Sequence, residues 1–431
     1  MIENGFRSQK MDETGCIMRI CFTSFHNYLD FSSGAAISTR EICLDSVRRG
    51  HTVSILCGPL FDSGVGGKLV FFEFLEKKRI PYSVDTRRYI LGGIEFLCDV
   101  VVFKDEGVNS TVFFPTNAKF NCSREEYSKL VVLLYAALLN EFLEEARPEI
   151  CMTYGGYRFV RLAAIETRKR GIKNVFFLHN LSYGDASLFS YFDAVVVPSE
   201  FARRCYKERL GIDCYVIPPL INRRKIYVEG GERKYVTLVN PSVEKGVFFF
   251  LGLAREIGQT HPEIPFLLVE GRAKASSLVG VSEVRRLQNL SVMRTVSDSR
   301  RFWEKTRVLL VPSTCKETFC RLVAEAAFSS TPVIASDRGA IPETMGDVSR
   351  SSVDACLSIP SRFTPSFRAF PTTREVEPWR QSLLHVLQDD DAAKRLGRIL
   401  NENAQRFDSL LISERIERFF VSLLLGNTQA L

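Results

Sequence analysis

The 431-residue chain carries 57 Lys and Arg against 50 Asp and Glu, a formal charge of +7, with 45% hydrophobic and 25% charged residues. This length and balance predict two globular domains of ordinary size, and no apolar run approaches the ~18–20 residues that a membrane-spanning helix requires. With no recognised motif and no aromatic residues interleaved among basic ones, nucleic-acid binding is not expected.

The opening MIENGFRSQKMDETG is polar and lacks an apolar signal core, and reads as a flexible lead over residues 1–17. Twelve cysteines with no C-x-x-C pair fit buried thiols in a reducing compartment, so a cytoplasmic protein is expected. The five histidines show no ligand spacing, and no metal is expected. Basic clusters at Lys77–Arg79, Arg168–Arg170, Arg203–Arg204 and Arg223–Lys225 fit solvated helix faces. They also fit attraction to an anionic surface, which leaves peripheral contact with the inner membrane face open.

In chain order, Arg19–Ser24, Ser38–Arg49 and His51–Leu56 read as strand, helix and strand. The loop between them, Asp30–Ala36, contains Ser33 and Gly34. It is small enough for a ligand to approach the helix start, and equally a plain tight turn. Residues 58–125 are less regular, with a helix over Leu69–Lys78 and then short strands or a hairpin. A long helix follows over Glu125–Glu145, then a strand Ile150–Thr153, a helix Arg158–Arg170 and a strand Lys173–Leu178 that ends at His179. Phe192–Pro198 is another strand, Ser199 caps a helix Phe201–Leu210, and Cys214–Ile217 closes a first domain spanning residues 18–222.

The pattern then restarts over residues 223–405. Tyr235–Val239 reads as a strand, Val247–Ile257 as a helix, and Pro265–Val269 as a strand ending at Glu270-Gly271. A helix near Glu283–Asn289, a strand Ser291–Met293 and a helix near Ser299–Lys305 precede the most informative stretch, Val308–Glu343. There a buried strand leads to a loop with Glu317, a helix over Phe319–Phe328 with Glu325, a second strand Thr331–Ala335, and a loop ending at Glu343. Strand–helix–strand in this length is a unit of parallel sheet, and ligands gather at the carboxyl ends of such strands. On spacing alone, the two carboxylates could be a dipole-favoured helix-start Glu and a solvated one. The tail from Glu377 is helical, and residues 406–431 form a last amphipathic segment able to pack back on the first domain.

The string PSTCKETFCRLVAEAAFSSTPVIASDRGAIPE, together with Leu238–Gly246 and FFLHNLSYGDASLFSYFDAVVVPSEFARR, resembles retaining glycosyltransferases of the family 4 type. The resemblance implies an α/β protein of the GT-B kind: two tandem Rossmann-like, doubly wound domains facing a central cleft. It implies a nucleotide-sugar donor, UDP- or GDP-linked, and a hydroxyl acceptor that is a glycan, lipid-linked or small molecule. Lys245 and the backbone N–H groups of Phe319, Cys320 and Arg321 would hold the diphosphate. Glu325 would bind the ribose and Glu317 a donor-sugar hydroxyl, while His179 would face the reaction centre from the other domain. Asn240, Gly271 and Val296 would border the nucleotide, with Ser33 and Gly34 on the acceptor side.

Two positions depart from the family pattern. Asn240-Pro241 stands where Gly-Arg is usual, removing a phosphate cation that Arg321 or Arg338 could replace. Cys320 stands where Gly is usual. These departures keep a second reading in view, a non-catalytic relative that binds a partner. The expected reaction is metal-independent transfer with retention, in which orientation and electrostatics carry the catalysis.

Overall fold

The computed structural model describes residues 17–61, 67–91, 93–116, 124–228, 230–278 and 287–427. The expected helix near Glu283–Asn289 lies largely outside them, as does most of the N-terminal lead.

The first half runs β1 (Arg19–His26), α1 (Gly34–Arg48), β2 (Thr52–Leu60), α2 (Gly67–Lys77), β3 (Tyr82–Leu91), β4 (Ile94–Asp105), β5 (Val108–Pro115), α3 (Arg124–Ala146), β6 (Ile150–Thr153), α4 (Tyr157–Lys169), β7 (Lys173–Phe177), β8 (Ala194–Val197), α5 (Glu200–Leu210) and β9 (Tyr215–Val216). Its sheet is ordered β3-β4-β5-β2-β1-β6-β7-β8-β9. The pairs are parallel except β3–β4 and β4–β5, which are antiparallel. The irregular stretch after β2 is thus a meander that extends the sheet's edge. Its alternating residues left the number of strands open in sequence.

The second half runs β10 (Tyr235–Val239), α6 (Val247–Thr260), β11 (Phe266–Val269), β12 (Leu290–Met293), α7 (Arg300–Trp303), β13 (Thr306–Val311), α8 (Arg321–Phe328), β14 (Val333–Ser336), α9 (Ile341–Met345), β15 (Cys356–Leu357), α10 (Thr373–Gln388) and α11 (Asp390–Ala404). Its order, β12-β11-β10-β13-β14-β15, is parallel throughout. Strand order therefore reverses between β10 and β13, and ligands of doubly wound sheets sit in the crevice outside such a switch point. In the first half the equivalent reversal lies between β1 and β6.

Four-residue strands such as β8 (AVVV), β11 (FLLV) and β14 (VIAS) are buried at every position. A sheet covered by helices on both faces demands such runs in place of alternation. The chain leaves the first half's core at Leu220 and enters the second's at Ile221. It returns through Phe407 to α12 (Ser409–Leu425), whose Ile412, Ile416, Phe419, Phe420 and Leu423 lie in the first half's core with Met18, Ile20 and Ile217. Among the described residues no helix is long and apolar enough to cross a membrane.

Candidate active site

Two loops meet at the β10/β13 switch point. The loop after β10 carries Asn240 to Gly246, and the loop after β13 carries Pro312 to Cys320. Thr314 stitches them: its N–H donates to Glu244 O at 2.9 Å and its hydroxyl to Val243 O at 3.1 Å. Gly246, the residue before α6, has φ +75°, and a Cβ there would stand 1.8 Å from Pro312 O. Only glycine lets these two backbones approach so closely.

Across this junction Lys245 Nζ lies 2.5 Å from Glu317 Oε1, the same oxygen that accepts from Ser313 Oγ at 2.7 Å. Burial opposes the Lys245 charge, but the Glu317 carboxylate outweighs it and raises the ammonium's pKa above the ordinary lysine value. Lys245 is thus a fixed cation with a carboxylate beside it. Glu317 is itself pinned by backbone: it bridges Gly339, and its carbonyl accepts from Ala340 N at 2.8 Å. The Glu317 loop and the loop after β14 are therefore one ledge.

Helix α8 begins at Arg321, two residues later than its composition suggests, because Cys320 is extended (φ −95°, ψ 91°) and acts as the N-cap residue. Phe319 turns inward and packs edge-on against Phe407 with centroids 5.1 Å apart, so its side chain belongs to the core. Cys320 is buried as well, and burial, with Glu317 adding, pushes its thiol up to about 12. An uncharged thiol at this position limits space without adding a charge.

Glu325 is buried one turn inside α8. Burial raises its pKa, Arg321 works against that rise and Glu41 adds to it. The Arg321 Nε stands 3.5 Å from Glu325 Oε1. Its Nη1 reaches the first half, donating to Ser38 Oγ at 3.0 Å and Leu220 O at 3.2 Å. Gly34, which follows Ser33 and opens α1, is its neighbour: a Cβ on Gly34 would lie 3.9 Å from Arg321 Cδ. The small loop after β1 thus borders α8 directly. Arg338 is engaged elsewhere, with Nη2 donating to Ile359 O at 3.0 Å.

His179 follows β7 on the opposite side of the cleft. Its carbonyl accepts from Thr318 Oγ1 at 2.8 Å, one residue from Glu317. The residue is half-buried and its ring stands edge-on to Tyr154 at 5.3 Å, while its buried Nε2 has no hydrogen-bond partner among the described residues. Burial, with Arg321 adding, lowers its pKa to about 4, so the imidazole is neutral at physiological pH. A buried, unpaired ring nitrogen is a costly feature unless a ligand completes it.

The residues expected on the nucleotide side include a pair that hold each other. Asn240 has φ +62°, and its Oδ1 accepts from Ala273 N at 2.8 Å. A Cβ on Gly271 would approach Asn240 Cβ to 3.1 Å. Asn240 therefore fills a left-handed position that glycine ordinarily takes, which asparagine tolerates better than other residues. Val296 packs its side chain against the second half's core, so a nucleobase contact from it would fall to the backbone.

Lys245, Glu317, Glu325, Cys320, Arg321 and His179 are thus grouped around the start of α8, while Gly271 lies beside Asn240 and Val296 against the second half's core. Sequence reasoning gave no role to Ser313, Thr318, Ser38 or His26. His26, at the end of β1, closes the first half's own switch point: a Cβ on Gly155 would meet its Nδ1 at 2.9 Å. Ser313 and Thr318 lie inside the informative string; Ser313 bonds Glu317 only four residues on, whereas the partner of Thr318, His179, comes from a distant segment. No group of three or more His, Cys, Asp or Glu side chains suited to a metal occurs among the described residues.

Residues 234–361 match the family model described as glycosyl transferases group 1. No curated protein matches the chain in sequence. In structure, a glycosyltransferase from Rickettsia africae is similar with TM-score 0.65 and 15% identity, covering 95% of this chain and 99% of that one. HepE of Anabaena, in complex with UDP and glucose, is similar with TM-score 0.64 and 15% identity over 94% of this chain and all of that one. Sucrose-phosphate synthase from Thermosynechococcus elongatus gives 0.65 and 14%, covering 94% and 99%. At these identities the likeness carries the fold, two Rossmann-like halves of the GT-B kind. The stretch matched by the family model, 234–361, runs from β10 through β15 of the second half.

Proposed function

We propose that this protein is a retaining, metal-independent glycosyltransferase of the family 4 type, moving a sugar from a UDP- or GDP-linked donor to a hydroxyl acceptor. The observation that carries the reading is the Lys245–Glu317 pair at the β10/β13 switch point, with His179 across the cleft one hydrogen bond away through Thr318.

In the proposed reaction the bond between the sugar's anomeric carbon and the diphosphate oxygen breaks, and a bond from that carbon to the acceptor oxygen forms on the same face. The acceptor's proton passes to the leaving phosphate oxygen. Negative charge grows on the diphosphate, where Lys245 and the backbone N–H groups entering α8 meet it. Positive charge grows on the sugar ring, which Glu317 borders and orients through a hydroxyl. The neutral His179 can donate or accept a hydrogen bond to the sugar without adding a charge that would oppose the oxocarbenium-like centre. Glu325 holds the ribose, and the loop at Ser33 and Gly34 receives the acceptor. A soluble or peripheral enzyme at the inner face of a membrane fits this reading.

Thermal-shift screening against UDP, GDP, ADP and their sugars tests it, since a ligand bound to the folded state raises its apparent stability. A stabilising nucleotide whose sugar is then hydrolysed or transferred supports the enzyme. No stabilisation and no turnover with any donor would leave the non-catalytic reading standing.

A further inference from the structure

Glu343 is in the first turn of α9, on the ledge that carries Glu317. Its carboxylate reaches into the other half of the molecule. Oε1 accepts from Glu200 N and Oε2 from Phe201 N, each at 2.8 Å. Those are the first two amides of α5, and Ser199 Oγ takes the third, accepting from Ala202 N at 3.0 Å. The start of α5 is therefore capped in part by its own serine and in part by a carboxylate 143 residues away. Leading amides of a helix lack intrahelical partners and carry its positive partial charge, so a two-oxygen anionic acceptor suits them.

Both ends of this clasp lie at cleft-facing edges. Helix α5 follows the carboxyl end of β8, the strand beside the one that ends at His179. On the other side, the Glu343 carbonyl accepts from Arg406 Nη2, where the chain returns to the first half. Three residues upstream, Ala340 N donates to Glu317 O. A short backbone path thus joins the clasp to Glu317, with no long flexible side chain in it other than Glu343 itself.

We propose that Glu343 is a positioning residue: by clasping the start of α5 it sets the angle between the halves at which Glu317 and His179 face each other. The Glu343–α5 bonds exist only when the halves are so arranged, whereas the Ser199 cap forms in any arrangement. This difference supplies the control.

The experiment compares E343A, E343Q and S199A in the full chain by amide hydrogen exchange, small-angle scattering and, once a donor is known, steady-state kinetics. In E343A the amides of Glu200 and Phe201 should exchange about tenfold faster, as two charge-assisted bonds are lost. The radius of gyration should rise, and kcat should fall about tenfold with donor KM changed less than about threefold. E343Q keeps one acceptor oxygen and should fall between, and it decides the matter if E343A does not fold. S199A should speed exchange at Ala202 while leaving the scattering and kcat unchanged. If the Glu343 variants match S199A, with no expansion and no loss of kcat, Glu343 is a helix cap only and the proposal falls. The kinetic arm rests on the glycosyl-transfer reading, but the exchange and scattering arms do not, so a failure of one is distinguishable from a failure of the other.

Discussion

Lys245 Nζ and Glu317 Oε1 lie 2.5 Å apart although 72 residues separate them in the chain. In the proposed site the pair would solve a problem, since a cation needed for a diphosphate is expensive to hold in a half-buried cleft without a ligand. Glu317 keeps the ammonium charged and fixed, as the proposed donor site requires. Lys245→Met should therefore weaken UDP or GDP binding by roughly 10–100-fold, the loss of a charge-assisted contact. Titration calorimetry with the free nucleotide measures it, and unchanged affinity would remove Lys245 from the phosphate site.

Glu325 and His179 should separate in kinetics. Glu325→Ala removes a group proposed to bind the donor in ground and transition states alike, so donor KM should rise with kcat little changed. His179→Ala removes an interaction proposed to matter at the reacting sugar, and kcat should fall, on the order of 10²-fold. Equal turnover in the His179 variant would end its assigned role.

His179 also makes a prediction about pH. Its pKa drops from 6.5 to about 4 on burial, so the folded state binds fewer protons than the unfolded state between these values. Its contribution to stability is fully present above pH 6.5 and is lost as the pH falls toward 4, roughly 3 kcal/mol across the window. His179→Asn should flatten that part of the stability–pH curve. Urea melts at pH 7 and pH 5 compare the two proteins, and parallel curves would contradict the buried, neutral imidazole.

Backbone geometry yields a contrasting pair. Gly246→Ala places a methyl into Pro312 O at a left-handed φ, and should cost more than about 4 kcal/mol or prevent folding. Asn240→Gly trades the hydrogen bond to Ala273 against relief at φ +62°, two terms of about 1 kcal/mol each, and should be nearly neutral. Thermal melts of both variants check the contrast.

Helix α12 should be indispensable to the half it does not follow in sequence. Phe420 is 1% exposed in the first half's core, and Phe420→Ala should cost about 3–5 kcal/mol. Leu411, 53% exposed on the same helix, should tolerate Ser within about 0.5 kcal/mol. Denaturant melts read both.

Much of the fold was legible because its elements are buried on both faces and punctuated sharply. Runs such as Phe266–Val269 and Val333–Ser336 have no polar residue facing solvent, and Gly211 and Gly171 end their helices in left-handed turns. The stretch from β3 to β5 was harder to read, since a half-exposed edge alternates weakly and its pairing depends on its neighbours. Within the site, Glu317, Glu325 and Lys245 could be named because local order sets them at a strand end or a helix start. The inward turn of Phe319 could not, because it depends on Phe407 arriving from 88 residues away. Nor could the left-handed Asn240, whose conformation is stabilised by the Ala273 amide.

Short-range sequence patterns set the periodic burial that makes two parallel sheets, and the identity of the charged groups at the strand ends of the second. In these patterns each residue's neighbours are three or four positions away. Which charges meet depends on the packing of the two halves: Lys245 with Glu317, Arg321 with Ser38 across the halves, and Glu343 with the start of α5. Such contacts depend on the angle between two separately folded sheets and on the return of α12, and no local pattern encodes an angle.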